Sequence, residues 1–231
     1  MADRIEHTYG QINIDTVKRW FRMDPAEDRD VWMINLMKYH QVAAYQGDDA
    51  PAISGKEADD AYSPVEVLAD LGAMVAFHGD VERQLEGDPA WDRIGIVRYP
   101  SRASFFAMQE RDDFKEKHVH KAAGMEFTII VGGLPVGAAA EVPAGGSYVM
   151  RVRRLEEGAV APQDPAGVTP VARFSSDGTV IGDEREWDEV LFDVVEDGAL
   201  DALVGLPGVA EQITMVVGRS IDRLAESVAT A

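Results

Sequence analysis

Apolar residues fall in short runs along the chain, broken by Gly, Pro, Asp and Asn. The clearest run is Val31–Tyr39 (VWMINLMKY), which reads as a strand. Further strands are predicted over residues 74–83, 91–99, 125–132, 147–155, 168–175, 186–195 and 212–218. A helix is predicted over 13–21, capped by Asn13 or Asp15, with Val17, Trp20 and Phe21 on its apolar side. A second opens at Ser63, with Pro64 in its first turn, Glu66 as the capping acid and Gly72 as its stop. Others start at Pro100-Ser101, run over 114–123 after a break near Asp112-Asp113, sit around 199–204, and fill 221–229 with Ser220 as cap. Residues 46–62 read as a long polar loop, either a lid or a disordered stretch. Ser176-Asp177-Gly178 reads as a turn.

The predicted order is strand, helix, strand, strand, helix, strand, and it then repeats with the first helix reduced to a loop. Two anchors support the repeat. Trp91-Asp92 matches Trp187-Asp188, and Thr128-Ile129-Ile130-Val131-Gly132 matches Thr214-Met215-Val216-Val217-Gly218. The βαββαβ order is that of a ferredoxin-like unit, whose sheet carries helices on one face and leaves the other bare. Two such units can bury each other's bare faces. The predicted class is therefore α+β, with two tandem ferredoxin-like halves forming an intrachain pseudo-dimeric α+β barrel. The expected divisions are an N-terminal helical extension at 1–30, half one at 31–133, a Gly/Ala/Pro-rich linker at 134–146, and a degenerate half two at 147–231. Between the anchors the second half is about ten residues shorter, in the region of Arg111 to Lys121. A segment present in one copy is not needed for the basic fold, which points function to half one.

Composition narrows the chemistry. The formal net charge of −19 disfavours phosphate backbones and anionic membranes, so neither nucleic acid nor membrane is expected as a partner. There is no cysteine, which removes thiolate nucleophiles, Cys-ligated zinc and disulfides. Residues 1–11 are polar and carry acids, so no signal peptide is expected and a cytoplasmic location is the default. Phosphate-loop, dinucleotide and Gly-x-Ser-x-Gly motifs are missing from the sequence.

Three stretches carry a family resemblance. Met33-Ile34-Asn35-Leu36-Met37-Lys38-Tyr39 resembles the opening strand of the domain-of-unknown-function 1330 branch of the dimeric α+β barrels. Residues 91–101, ending in Tyr99-Pro100-Ser101, resemble that branch's strand and helix start, and 118–126 its closing segment. The resemblance spans about residues 31–132. It implies a pocket between sheet and helices for a small, mostly apolar ligand. The wider superfamily includes cofactor-independent monooxygenases, isomerases, cyclases and haem-binding enzymes, and a homo-oligomer is compatible with it.

Candidate residues follow from strand alternation. Met33, Asn35, Met37 and Tyr39 share one side of their strand, a mixture suited to a ligand pocket; Trp32, Ile34, Leu36 and Lys38 take the other, suited to packing on helices. On the next strand Met74, Ala76, His78 and Asp80 are expected together. His78 is the candidate general base and Asp80 its orienting partner. Asn35 or Tyr39 would hold a developing oxyanion. The bland alternatives are an Asn35 bonded to backbone and a surface His78. Tyr99 could donate a hydrogen bond to the ligand and Arg98 could clamp an anion, the alternative for Arg98 being a surface ion pair. His118 and His120 are candidate ligand-contact residues; in a helix they face apart, so no metal site is assigned to them. Lys115, Lys117 and Lys121 beside them could attract a carboxylate or form a solvated face. The leading expectation is a cofactor-independent enzyme using His-assisted proton transfer. The alternatives are haem or metal binding through histidine, and a non-catalytic ligand-binding or assembly module.

Overall fold

The computed structural model describes residues 8–47 and 50–229. Val31–Tyr39 forms a nine-residue strand, β2, in which every residue but Lys38 is buried. A strand covered on both faces has no polar side to alternate, which explains the unbroken apolar run. The short β1 (Gln11–Ile12) and α1 (Ile14–Phe21) precede it. The first half continues through α2 (Gly55–Ala61), α3 (Val65–Asp70), β3 (Met74–Glu86), β4 (Arg93–Tyr99), α4 (Arg102–Glu110), α5 (Asp112–Gly124) and β5 (Met125–Pro135). The second holds β6 (Ser147–Leu155), β7 (Val168–Gly182), β8 (Glu189–Val195), a 3-10 turn at Leu200–Leu203, β9 (Val209–Val217), β10 (Ile221–Asp222) and α6 (Leu224–Ala229).

Each half has the strand order of a ferredoxin-like unit: β5-β2-β4-β3 in the first, β9-β6-β8-β7 in the second. The halves join edge to edge through β3–β9 and β5–β7, both antiparallel, so eight strands close a barrel within one chain. The repeat holds at atomic detail. The Asp92 carboxylate accepts the backbone N–H of Tyr39 at the end of β2 at 2.8 Å, and the Asp188 carboxylate accepts that of Leu155 at the end of β6 at 2.7 Å.

The barrel interior is one apolar core. Trp32, Ile34 and Leu36 of β2 meet Met150 and Val152 of β6, with Phe77, Phe174 and Phe192 among them. This side of β2 therefore packs against the second half, where Trp32 Nε1 donates to Ser227 of α6 at 2.9 Å, and not on the first-half helices, contrary to expectation. The helices cover the outer side, where Met33 belongs to a second cluster with Leu68, Phe105, Met108 and Phe114.

Several predicted boundaries change for local reasons. The polar loop over 46–62 contains α2, fixed by a capping box. Ser54 Oγ accepts the Glu57 N–H at 3.2 Å, and the Glu57 carboxylate accepts the Ser54 N–H at 2.7 Å. In α3 Pro64 occupies the cap and Ser63 makes no capping bond. The expected turn at Ser176-Asp177-Gly178 is an irregularity inside β7, where the pairing with β5 shifts register. Gly178 supplies the positive φ of 95° there. Ser220 does not cap a terminal helix: residues 221–222 pair with β3 as β10, and α6 starts at Leu224.

Candidate functional site

Between the outer face of the first-half sheet and its helices lies a cavity of about 300 Å³. That is at the lower end of the range for small-molecule sites, roughly 300–1,000 Å³. Leu68, Val97, Phe105, Met108 and Ile130 make its apolar part; Asn35, Asp59, Asp60, Tyr62, His78, Arg93 and Lys121 make its polar part. Ser63, Val65 and Ile221 on its wall are exposed and mark its mouth.

Of the residues singled out from sequence, Met33, Asn35, Met37, His78, Tyr99, His118 and Lys121 line the cavity. Tyr39, Asp80, His120, Arg98, Lys115 and Lys117 do not. The Tyr39 hydroxyl donates to Asp59 at 2.5 Å, behind the wall. His120 faces another way on α5 and bonds the Tyr45 hydroxyl through Nδ1 at 2.6 Å. Asp80 is drawn to Arg93 Nε at 2.8 Å and Lys56 Nζ at 2.5 Å, so it does not orient His78. The reading of β3 also fails in detail. A bulge at Ala76 shifts the register against β4, so Ala76 enters the barrel core while Val75 and His78 stay on the cavity side.

Ser220 orients His78 instead. Its hydroxyl donates to the His78 carbonyl at 2.7 Å, which leaves its oxygen to accept from Nδ1 at 2.9 Å. The single hydroxyl proton is used, so the neutral imidazole carries its proton on Nδ1 and keeps a lone pair on Nε2. Burial, then the Arg93 charge, pull the His78 pKa below the ordinary histidine value, partly offset by Asp59, Asp80 and Asp60.

Asn35 cannot serve as the oxyanion donor. Its amide N–H groups reach the carbonyls of Met33 at 2.9 Å and Gly95 at 3.2 Å. These acceptors fix its orientation and turn Oδ1 toward Lys121 Nζ at 3.5 Å. Arg93, only 4% exposed, is also engaged: it binds Asp59 at 3.1 Å, Asp60 at 2.7 Å and Asp80 at 2.8 Å. Burial alone would pull its pKa down, but Tyr39 and the carboxylates hold it above the usual arginine range. Tyr99 turns its ring to the cavity and gives its hydroxyl to Met108 Sδ at 3.2 Å. Arg98 lies on the other side of β4 and pairs with Asp30, Nε at 2.9 Å.

Sequence reasoning passed over Asp59, Arg93, Tyr62 and Tyr9 as site residues. The Ser54-x-x-Glu57 signature could have located α2 and hence Asp59 and Asp60. Arg93 stands opposite Asp80 in the β3–β4 ladder, a cross-strand pair of opposite charge. Tyr9 comes from the N-terminal segment and meets His118 Nε2 at 2.8 Å, a contact no local pattern announces.

The histidines do not build a metal centre. His78 and His118 come from different elements, His120 lies off the cavity, and no group of three or more His, Asp or Glu among the described residues is placed to hold an ion. A haem does not fit the set either: the space beside His78 is about 300 Å³, smaller than the macrocycle with its propionates.

No family model matches the chain, and no curated protein matches it. Solved structures of similar shape include the RPA0582 protein of unknown function from Rhodopseudomonas palustris. It is 27% identical, with a TM-score of 0.47, over 56% of this chain and 98% of that one. A presumed monooxygenase from Lactobacillus acidophilus is 12% identical, with a TM-score of 0.41, over 84% of this chain and 95% of that one. A mutant chlorite dismutase from Candidatus Nitrospira defluvii is 9% identical, with a TM-score of 0.48, over 88% and 96%. Among the described residues no helix is long and apolar enough to cross a membrane.

Proposed function

We propose that this chain is an enzyme that moves a proton on a small, largely apolar metabolite held in the first-half cavity. The supporting observation is His78: a histidine on the wall of a ligand-sized space, with its tautomer set by Ser220 and an unshared pair on Nε2. A general base needs that lone pair within reach of the substrate and a pKa at or below the working pH. The reaction class is isomerase, cyclase or monooxygenase, in keeping with the resemblance of residues 31–132 to the domain-of-unknown-function 1330 branch. The assembly alternative is weaker, because the apolar barrel interior already buries sheet on sheet and leaves the lined cavity without a purpose. A homo-oligomer is not required by this reading, since the barrel closes within one chain.

The test starts with mass spectrometry of molecules released on denaturation, followed by turnover assays on what is found. His78→Gln should lower kcat by about 10²–10⁴-fold, the usual contribution of a general base. The wild-type rate should fall on the acid side through an apparent pKa below 6.5, because protonation removes the lone pair. Full turnover by His78→Gln would refute the mechanism, and a Soret band in the purified protein would replace it with haem chemistry.

A further inference from the structure

We infer that the ligand of this cavity is a monocarboxylate, its charge seated on Lys121 and its apolar body on the opposite wall. This rests on reading the cavity as the substrate site. Arg93 and Lys121 are the Lys and Arg side chains on the wall. Arg93 is saturated by Asp59, Asp60 and Asp80. Lys121 has no carboxylate within ion-pair distance among the described residues. Its neighbours are Asn35 Oδ1, at a long 3.5 Å, and the face of Tyr62, whose ring centroid is 5.5 Å away.

A chain with 41 acidic and 22 basic side chains has ample means to pair a half-buried cation. Leaving one partly desolvated without an anion is costly, and such groups are ordinarily neutralised by a partner. The second half shows the paired arrangement. By the register that aligns Tyr39 with Leu155, Asn35 and Met37 correspond to Arg151 and Arg153. There Arg151 meets Asp193 and Asp164, both at 2.6 Å, and Arg153 meets Glu189 at 2.5 Å. On the cavity side Asp59 and Asp60 are taken up by Arg93, Asp59 acts on Lys121 only from beyond ion-pair distance, and the amide of Asn35, locked by two carbonyls, holds its oxygen toward the ammonium. The Tyr62 hydroxyl, on the same wall and with no bond among the described residues, can donate to the second carboxylate oxygen. One unpaired cation matches one negative charge. Leu68, Val97, Phe105 and Met108 then receive the hydrocarbon part.

The test uses acid and amide probes of matched shape, phenylacetate with phenylacetamide and isovalerate with isovaleramide, titrated calorimetrically against the intact protein, Lys121→Met and Tyr62→Phe. A charge-assisted bond predicts that an acid binds the wild type roughly ten- to a hundredfold more tightly than its amide, and that Lys121→Met abolishes the difference. Tyr62→Phe should weaken the acid less than Lys121→Met does. Circular dichroism checks that each variant folds. Equal binding of acid and amide, or an acid preference that survives Lys121→Met, overturns the anchor and leaves the cavity as a ligand site. Absence of binding by all four probes overturns the monocarboxylate, and release of a neutral native ligand on denaturation would then separate this failure from that of the cavity itself. Trapping of a carbonyl probe on Lys121 by borohydride also overturns it, since the amine would then be a nucleophile and not an anchor.

Discussion

Replacing Arg93 by Met keeps the length of the side chain and removes its charge. The loss can be apportioned among its three carboxylates. The side chains of Asp60 and Asp80 are 56% and 47% exposed, so each gains only a few tenths of a kcal/mol from the pair at high dielectric. Asp59 differs: its side chain is 8% exposed, and without Arg93 it keeps, among the described residues, the Tyr39 hydroxyl. Stranding a buried charge costs about 3–5 kcal/mol. The remaining hydrogen bond from Tyr39 places Arg93→Met near the lower figure, about 3 kcal/mol. For a chain of this size that corresponds to a fall in Tm of about 6–12 °C. Urea titration and thermal scans of Arg93→Met, Asp59→Asn and the double variant would measure it. The double variant should recover roughly 1–3 kcal/mol relative to the sum of the single losses, because neutral Asn strands no charge. A single loss below about 1 kcal/mol, or strict additivity in the double variant, would show that Arg93 does not neutralise Asp59 in the fold.

Two glycine predictions separate folding from binding. At Gly55 an added Cβ would lie 2.3 Å from the Gly124 carbonyl oxygen and 2.7 Å from that of His40, so Gly55→Ala should drive α2 off α5 and cost about 1–3 kcal/mol by chemical denaturation. At Gly95 a Cβ would meet only the end of the Met37 side chain, at 3.2 Å, so Gly95→Val should change stability by less than about 1.5 kcal/mol while filling the cavity; undiminished ligand binding would show that the ligand lies elsewhere. Lys121→Met should raise the stability of the ligand-free protein, since burial pulls the lysine pKa down more than Asp59 holds it up. By the same linkage the wild type should gain stability as pH rises toward 10.5 from below, where the unfolded chain binds the proton that the folded chain releases, and that gain should be absent from the variant.

The sheet was legible because strand patterns are local. The run Val31–Tyr39 coincides with β2, and its alternation separated Met33, Asn35 and Met37 from Trp32, Ile34 and Leu36 correctly. What alternation could not tell was which face met the helices, since both faces are buried. It failed on β3, where a bulge, set by pairing with β4 and invisible in composition, rotated Ala76 into the barrel. The capping box that makes α2 stands in the sequence, but periodicity does not reveal the helix, because the segment is short and has little apolar content.

The sequence alone determined the doubled order of four strands, the equivalence of Trp91-Asp92 with Trp187-Asp188, and the extra segment of the first half, which is α5 and carries both His118 and Lys121; the helix expected around 199–204 is a 3-10 turn. Periodicity and spacing suffice for these, since they depend on neighbours along the chain. The tertiary structure decided the partners. Ser220 reaches His78 across 142 positions, Arg93 reaches Asp59 across 34, and Lys121 meets Asn35 across 86. Barrel closure and helix packing bring these groups together, and a side chain's charge state and free lone pairs follow from the partners it meets.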